Sequence, residues 1–259
     1  MKKGICYSSV PGATPKEKLE LCQEAGLQGV EIPTFETKKQ TLEVRAAADE
    51  LGLEIHSVMG GIHWKCPLSS TDEPTRVQGV EGIKHAVEVA AWAGASAVLV
   101  VPGVCTEDDS YAACWDISQK SLREILPTAE KHSVMLLVEN VWNKFLLSPL
   151  EMRDYIDGFR HELIAAYFDV GNILLYGYPH HWVETLGKRI RKVHIKDFDV
   201  NSRQFVSLLT GSVDFPRFIA ALRGIGYDDY LTAELAPYRQ FPKQLVVDTG
   251  KHLQCIVES

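Results

Sequence analysis

The chain has 259 residues, 46% hydrophobic and 24% charged, a size and composition that suit one α/β barrel or doubly wound domain. Its 27 lysines and arginines against 34 acidic residues leave a net charge of −7 with no basic block, which excludes a large electrostatic footprint on nucleic acid. No apolar run reaches the roughly 18–20 residues that cross a bilayer, so no membrane partner is expected.

The opening MKKGICYSSVPG reads as a first strand over 3–8, because its apolar stretch before Ser and Pro is too short for a signal peptide. Strand candidates follow at 29–32, 54–59, 97–102, 135–139, 164–169, 190–196 and 230–235. Amphipathic segments lie between them at 15–25, 38–51, 74–93, 113–131, 149–158, 180–188, 214–225 and 240–257. In the first, Leu19, Cys22 and Ala25 make one stripe, while Lys16, Glu17, Glu20 and Glu24 keep mainly to the other side. Several helices run into a glycine before the next strand, as in ELGLEIHS and WAGASAVLV, where a left-handed residue stops the helix.

Eight strand–helix pairs in about 250 residues is the count of a (β/α)8 TIM barrel, and runs buried on both faces suit parallel strands. One such domain is expected over residues 1–259. A doubly wound sheet would place a glycine-rich phosphate loop after the first strand, where SSVPGAT stands instead. Cys6, Cys22, Cys66, Cys105, Cys114 and Cys255 are scattered with no C-x-x-C pair, and read as reduced thiols of a cytoplasmic protein.

Four late strands each end in a residue able to hold a metal ion: VMLLVEN with Glu139, AAYFDVGN with Asp169, KVHIKD with His194 and YLTAEL with Glu234. A charge at the end of a buried run costs free energy unless it is paired, solvated or bound to metal. Singly, each has a plain explanation as a turn residue, a satisfied core histidine or half of an ion pair. Together, at the C-terminal ends of strands five to eight, they point to one site at a barrel mouth. Carboxylates with one imidazole suit Mn²⁺, Mg²⁺, Co²⁺ or Zn²⁺, and without a cation their crowding would raise at least one pKa.

The order Glu, Asp, His, Glu on these strands resembles the xylose-isomerase-like barrels, the sugar phosphate isomerase/epimerase superfamily. The stretch GSVDFPRFIAALRGIGYDDYLTAEL and the segments FDVGN and HIKD are also similar to that group. The resemblance implies that Glu139, Asp169, His194 and Glu234 are metal ligands, and that Glu139 and Glu234 are the acid/base pair about an enediolate. It implies a small-molecule sugar or sugar phosphate as substrate and leaves a homo-oligomer open. Two departures stand out. Asn172 replaces the histidine of the ketose 3-epimerases' D-x-x-H, and ENVWNKFLL shifts Asn143 and lacks their second carboxylate. The D-x-G-N form is nearer to the phosphosugar epimerases.

His56, Trp64, Asn172 and Lys196 are the substrate-binding candidates, Lys196 either at an oxyanion or in a salt bridge to Glu234 or Asp169. His63 and Trp142 are placed near the sugar as weaker candidates. Glu31 reads as a buried structural carboxylate, and His180 and His181 as exposed loop residues. Gly211, Ser212 and Arg239 are explained equally by a phosphate site or by a turn and a surface arginine. The runner-up activity is a lyase or dehydratase on the same metal. An endonuclease-IV-like phosphodiesterase would need further ligands from early strands, and a non-catalytic sugar-binding barrel is the alternative of another class.

Overall fold

Each strand read from the sequence pairs in parallel with its neighbours, and the eight close on themselves. The computed structural model describes residues 1–259. In chain order it contains β1 (Lys2–Cys6), α1 (Pro15–Glu24), β2 (Gly29–Pro33), α2 (Lys38–Leu51), β3 (Glu54–Met59), α3 (Glu73–Ala93), β4 (Ala97–Val100) and α4 (Tyr111–His132). There follow β5 (Met135–Glu139), α5 (Pro149–Asp157), β6 (Ile164–Asp169), α6 (Val170–Ile173), α7 (Pro179–Leu186) and β7 (Ile190–Ile195). The chain continues through β8 (Asp197–Asp199), β9 (Gln204–Val206), α8 (Phe215–Gly224), β10 (Tyr230–Ala233) and α9 (Pro242–Glu258). The barrel order is β1-β10-β7-β6-β5-β4-β3-β2, while β8 and β9 form a separate antiparallel hairpin in the loop beyond β7.

Helix ends follow local chemistry. Thr14, Thr37 and Ser148 each accept from the backbone three residues on, and the side chains of Glu17, Gln40 and Glu151 reach back, a reciprocal cap worth roughly 0.5–2 kcal/mol per helix. Gly52 and Gly94 close α2 and α3 at φ of 67° and 76°, where a side chain would be strained.

Apolar packing lies mainly between strands and helices, with a smaller cluster of Ala97, Leu99, Leu137, Ala165 and Tyr167 filling the barrel beside β4–β6. The rest of the interior is polar, including Glu31, His56, Ser57, Lys192, His194 and Thr232. Four strands end sooner than their apolar runs suggest, with β1 stopping at Cys6 and β4 at Val100. β7 stops at Ile195 and β10 at Ala233, so Lys196 and Glu234 stand one residue beyond the ladder. The β8–β9 hairpin has no counterpart in the sequence reading, because three-residue strands carry too few residues to show alternation.

Candidate active site at the barrel mouth

The parallel ladder assembles the cluster. It pairs Asp169 with His194 and His194 with Thr232, which puts the ends of β6, β7 and β10 at one level, and Glu139 closes the adjacent β5. The Glu234 amide donates to the Ile195 carbonyl at 3.2 Å and fixes that side chain just past its strand. The ligand-type atoms of Glu139, Asp169, His194 and Glu234 all lie within 4.8 Å of one another.

His194 has two distinct faces. Its Nδ1 lies 3.0 Å from Glu139 Oε1, 3.1 Å from Glu234 Oε2 and 3.9 Å from Asp169 Oδ2. Its Nε2 lies 2.8 Å from Glu31 Oε1, and Glu31 also accepts from Ser57 Oγ at 2.8 Å. Glu31, the buried carboxylate of β2, is therefore the residue that orients the imidazole and directs Nδ1 at the acidic cluster. Burial opposes charge on the ring, but Tyr167, Glu31, Cys6 and Glu234 around it reverse that effect and hold its pKa well above the ordinary value.

The two glutamates differ. Burial pushes the Glu139 carboxyl up to about 7, with Glu234 adding repulsion. Burial also opposes ionisation of Glu234, yet the neighbouring His194 and Lys196 cations outweigh it and keep this carboxyl well below its usual range. Lys196 Nζ sits 2.6 Å from Glu234 Oε2 and 3.0 Å from Asp169 Oδ2, the double salt bridge that was one of its two expected roles. Burial works against this ammonium too, and Asp169, Glu234 and Glu139 more than restore its charge.

Asp169 Oδ1 accepts from the Asn172 amide at 2.8 Å, whereas the buried Oδ2 has no hydrogen-bond partner. Lys196 is near enough to attract that oxygen, but its approach falls outside hydrogen-bonding geometry. A buried carboxylate oxygen that receives no hydrogen bond, and shares a single ammonium with a second carboxylate, suits a cation site. The donor set fits a divalent ion that accepts oxygen and imidazole.

Asn172 is buried and spends its side-chain amide on the Asn140 carbonyl at 2.9 Å. Asn140 in turn donates to the Asp169 carbonyl at 2.8 Å and accepts from the Asp169 amide at 2.9 Å. Trp142 Nε1 donates to the Asn172 carbonyl at 2.9 Å, and its ring stacks on Phe205 of the hairpin with centroids 4.9 Å apart. Asn172 thus locks the β5 and β6 loops, while it also lines a cavity of about 330 Å³ with His63, Trp64, Trp142, Glu139, Lys196 and Glu234.

Two expected placements are corrected. His56 lies inside the barrel and does not line this cavity. Its Nδ1 meets Ser57 Oγ at 2.9 Å, its Nε2 meets Thr232 Oγ1 at 3.2 Å, and its ring stacks on Tyr230 at 4.2 Å. The register shift between Val30 and Glu31 turns both His56 and Ser57 inward, which simple alternation does not foresee. His180 is buried in the first turn of α7, and of that pair only His181 is exposed. Trp64 is 56% exposed at the cavity rim, and the buried His63 Nδ1 has no partner.

These features define a (β/α)8 barrel with three carboxylates and an imidazole gathered at its C-terminal mouth. The chain belongs to the xylose isomerase-like TIM barrel family, whose pattern matches residues 19–254. It is 25% identical over 236 residues to the L-ribulose-5-phosphate 3-epimerase UlaE of Escherichia coli O1:K1 / APEC, covering 86% of this chain and 83% of that one. Its fold superposes on a D-tagatose 3-epimerase-like protein with a TM-score of 0.87 at 21% identity, covering 100% and 97% of the two chains. The IOLI protein, solved with a zinc atom bound, gives a TM-score of 0.85 at 18% identity, covering 100% and 98%.

Proposed function

We propose that this protein is a divalent-metal-dependent epimerase or isomerase of a keto-sugar, with Glu139, Asp169, His194 and Glu234 holding the ion. The observation that carries the reading is the convergence of the ligand-type atoms of these four side chains within 4.8 Å of one another. The named activity of the UlaE relatives supports the same class. When bound, a divalent cation supplies Lewis acidity that makes the C–H beside a carbonyl easier to ionise.

The protein residues supply the rest. Glu139 and Glu234 come from β5 and from the end of β10, with β6 and β7 between them in the barrel order, so they reach a substrate carbon from different sides. One carboxylate removes the proton from one face, and the other, protonated, returns a proton to the opposite face. Lys196 holds a positive charge beside Glu234, where it can steady the oxygen that becomes negative when the C–H bond breaks. Glu31 keeps the His194 ring oriented, and Trp64 and Trp142 line the 330 Å³ cavity with apolar surface for the sugar.

The test is solvent-deuterium exchange. A ketose turned over in D₂O should take up one deuterium at the epimerised carbon without losing water. Glu139→Gln and Glu234→Gln should each lower that exchange by about 10²–10⁴-fold while substrate binding persists. Exchange at wild-type rate in the double variant would refute the assignment.

A further inference from the structure

We propose that His63 is a substrate-contact residue, donating a hydrogen bond from Nε2 to an oxygen of the bound sugar, and that two glycines of α3 seat the turn that presents it. The proposal rests on the epimerase reading of the same cavity and adds a residue to it. Two buried histidines, one in β3 and one in the loop that follows, differ in how they are satisfied. His56 spends both ring nitrogens, on Ser57 Oγ at 2.9 Å and on Thr232 Oγ1 at 3.2 Å, and is complete as a core residue. His63 is only 4% exposed, yet its Nδ1 is enclosed without a partner. A buried polar atom left unpaired raises the free energy of the fold, and one that persists calls for a functional reason. The ring lines the 330 Å³ cavity beside Glu139, Lys196 and Glu234. Burial, against the pull of Glu234, holds its pKa down at about 4, so the imidazole is neutral and carries one N–H. An enclosed N–H without an acceptor is rarer in folded proteins than a bare acceptor. The proton therefore belongs on Nε2, the nitrogen left to face the cavity.

The turn that carries His63 is built for this position. The Lys65 and Cys66 amides both donate to the Ile62 carbonyl, at 3.0 and 2.9 Å, which folds residues 62–66 into one tight turn. That turn lies directly on α3. A Cβ at Gly79 would collide with the Cys66 carbonyl oxygen, and one at Gly82 would stand 2.6 Å from Ile62 Cγ2, so neither position admits a side chain unless the turn moves. Glycine inside a helix weakens it, and α3 carries these two at a spacing of three, on the face beneath the turn. Trp64 packs edge-on against the imidazole with ring centroids 5.7 Å apart, which limits the plane the ring can take. The helix thus gives up two good helix formers to bring an unsatisfied ring to the reacting cavity. A hydroxyl or carbonyl oxygen of the sugar would complete His63 as two side-chain hydroxyls complete His56.

The test reads contact and turnover separately. In protein labelled with ¹⁵N-histidine and supplied with Mg²⁺, the His63 ring signals are those missing from His63→Gln. Addition of D-tagatose or L-ribulose 5-phosphate should shift the His63 Nε2 signal, and no shift with either ketose overturns the contact. Deuterium uptake from D₂O by the same ketoses is scored independently. A shift without uptake sinks the epimerase alone, and uptake without a shift sinks the role of His63 alone. His63→Leu should lower kcat/KM for the exchange by about 10–100-fold, mainly through KM, with divalent-ion affinity within about twofold of wild type. His63→Gln, whose carboxamide N–H can reach the place of Nε2, should regain most of that loss. Equal losses in the two variants, or a fall of metal affinity in both, would make His63 a packing residue and overturn the proposal. Gly79→Ala should raise KM as His63→Leu does, and an unchanged KM removes the glycine seat from the proposal. Gly82→Ala, which meets only the Ile62 side chain, serves if that variant does not fold.

Discussion

At the base of the barrel Lys192 Nζ meets Asp229 Oδ2 at 2.7 Å and Lys2 Nζ meets Glu54 Oε2 at 3.0 Å, one cation to each acid. At the mouth, Glu31, Glu139, Asp169 and Glu234 share only His194 and Lys196. Both ends bring charge into or beside the barrel, but only the base balances it from within. The surplus of negative charge at the mouth is an imbalance that a divalent ion would remove, whereas the paired base is complete as a structural device.

The widest separation between the two ends should appear in stability against pH. Glu139, pushed up to about 7, binds a proton in the folded chain where the unfolded carboxyl near 4.5 has lost it. The raised His194 pKa acts with the same sign above the ordinary histidine range. The metal-free protein is therefore expected to lose stability as pH rises from 4.5 through 7, with a ceiling of about 3 kcal/mol from Glu139. Adding Mn²⁺ or Zn²⁺ should abolish that loss and raise the melting temperature, and chelator should restore it. Denaturant curves that are flat across this range and indifferent to metal would erase the distinction between mouth and base.

Glu31→Gln probes the support of the mouth. It should weaken divalent-ion affinity by about 10–100-fold while leaving the far-ultraviolet dichroism unchanged, as expected for a carboxylate that orients a ligating imidazole. Equal affinity in the variant would reduce Glu31 to a core residue. The smallest effect is expected at the base. Lys192→Met removes a buried cation from a partner that is 36% exposed, and should cost about 1–2 kcal/mol with no change in metal affinity. A shift in metal affinity from this site would mean that the two ends are coupled.

The barrel was legible because strands and helices alternate with a regular period, and the four strand-end residues because charge following a buried run needs a reason. Other features depend on contacts remote in sequence. Glu31 looked structural because His194, the group it orients, lies 163 residues away. His56 was read as a substrate contact, but it stands in the middle of β3, where the irregularity against β2 turns it into the barrel interior. Asp197, within HIKD, accepts from the amides of its neighbour Phe198 and of Gly211 and Val213, and the last two are brought to it by a loop whose folding the sequence pattern does not reveal. Asn172 read as a contact for sugar, and its side-chain amide proves to be committed to Asn140.

That commitment has a mechanical consequence. The two asparagines stitch the ends of β5 and β6 together by three hydrogen bonds of 2.8–2.9 Å, one residue beyond Glu139 and directly at Asp169. The gap between these two carboxylates is thus gauged by amides that do not titrate near neutrality. A divalent ion held as proposed would meet a gap whose width is set in advance, and an ion of the wrong radius would have to strain these three bonds to be bound.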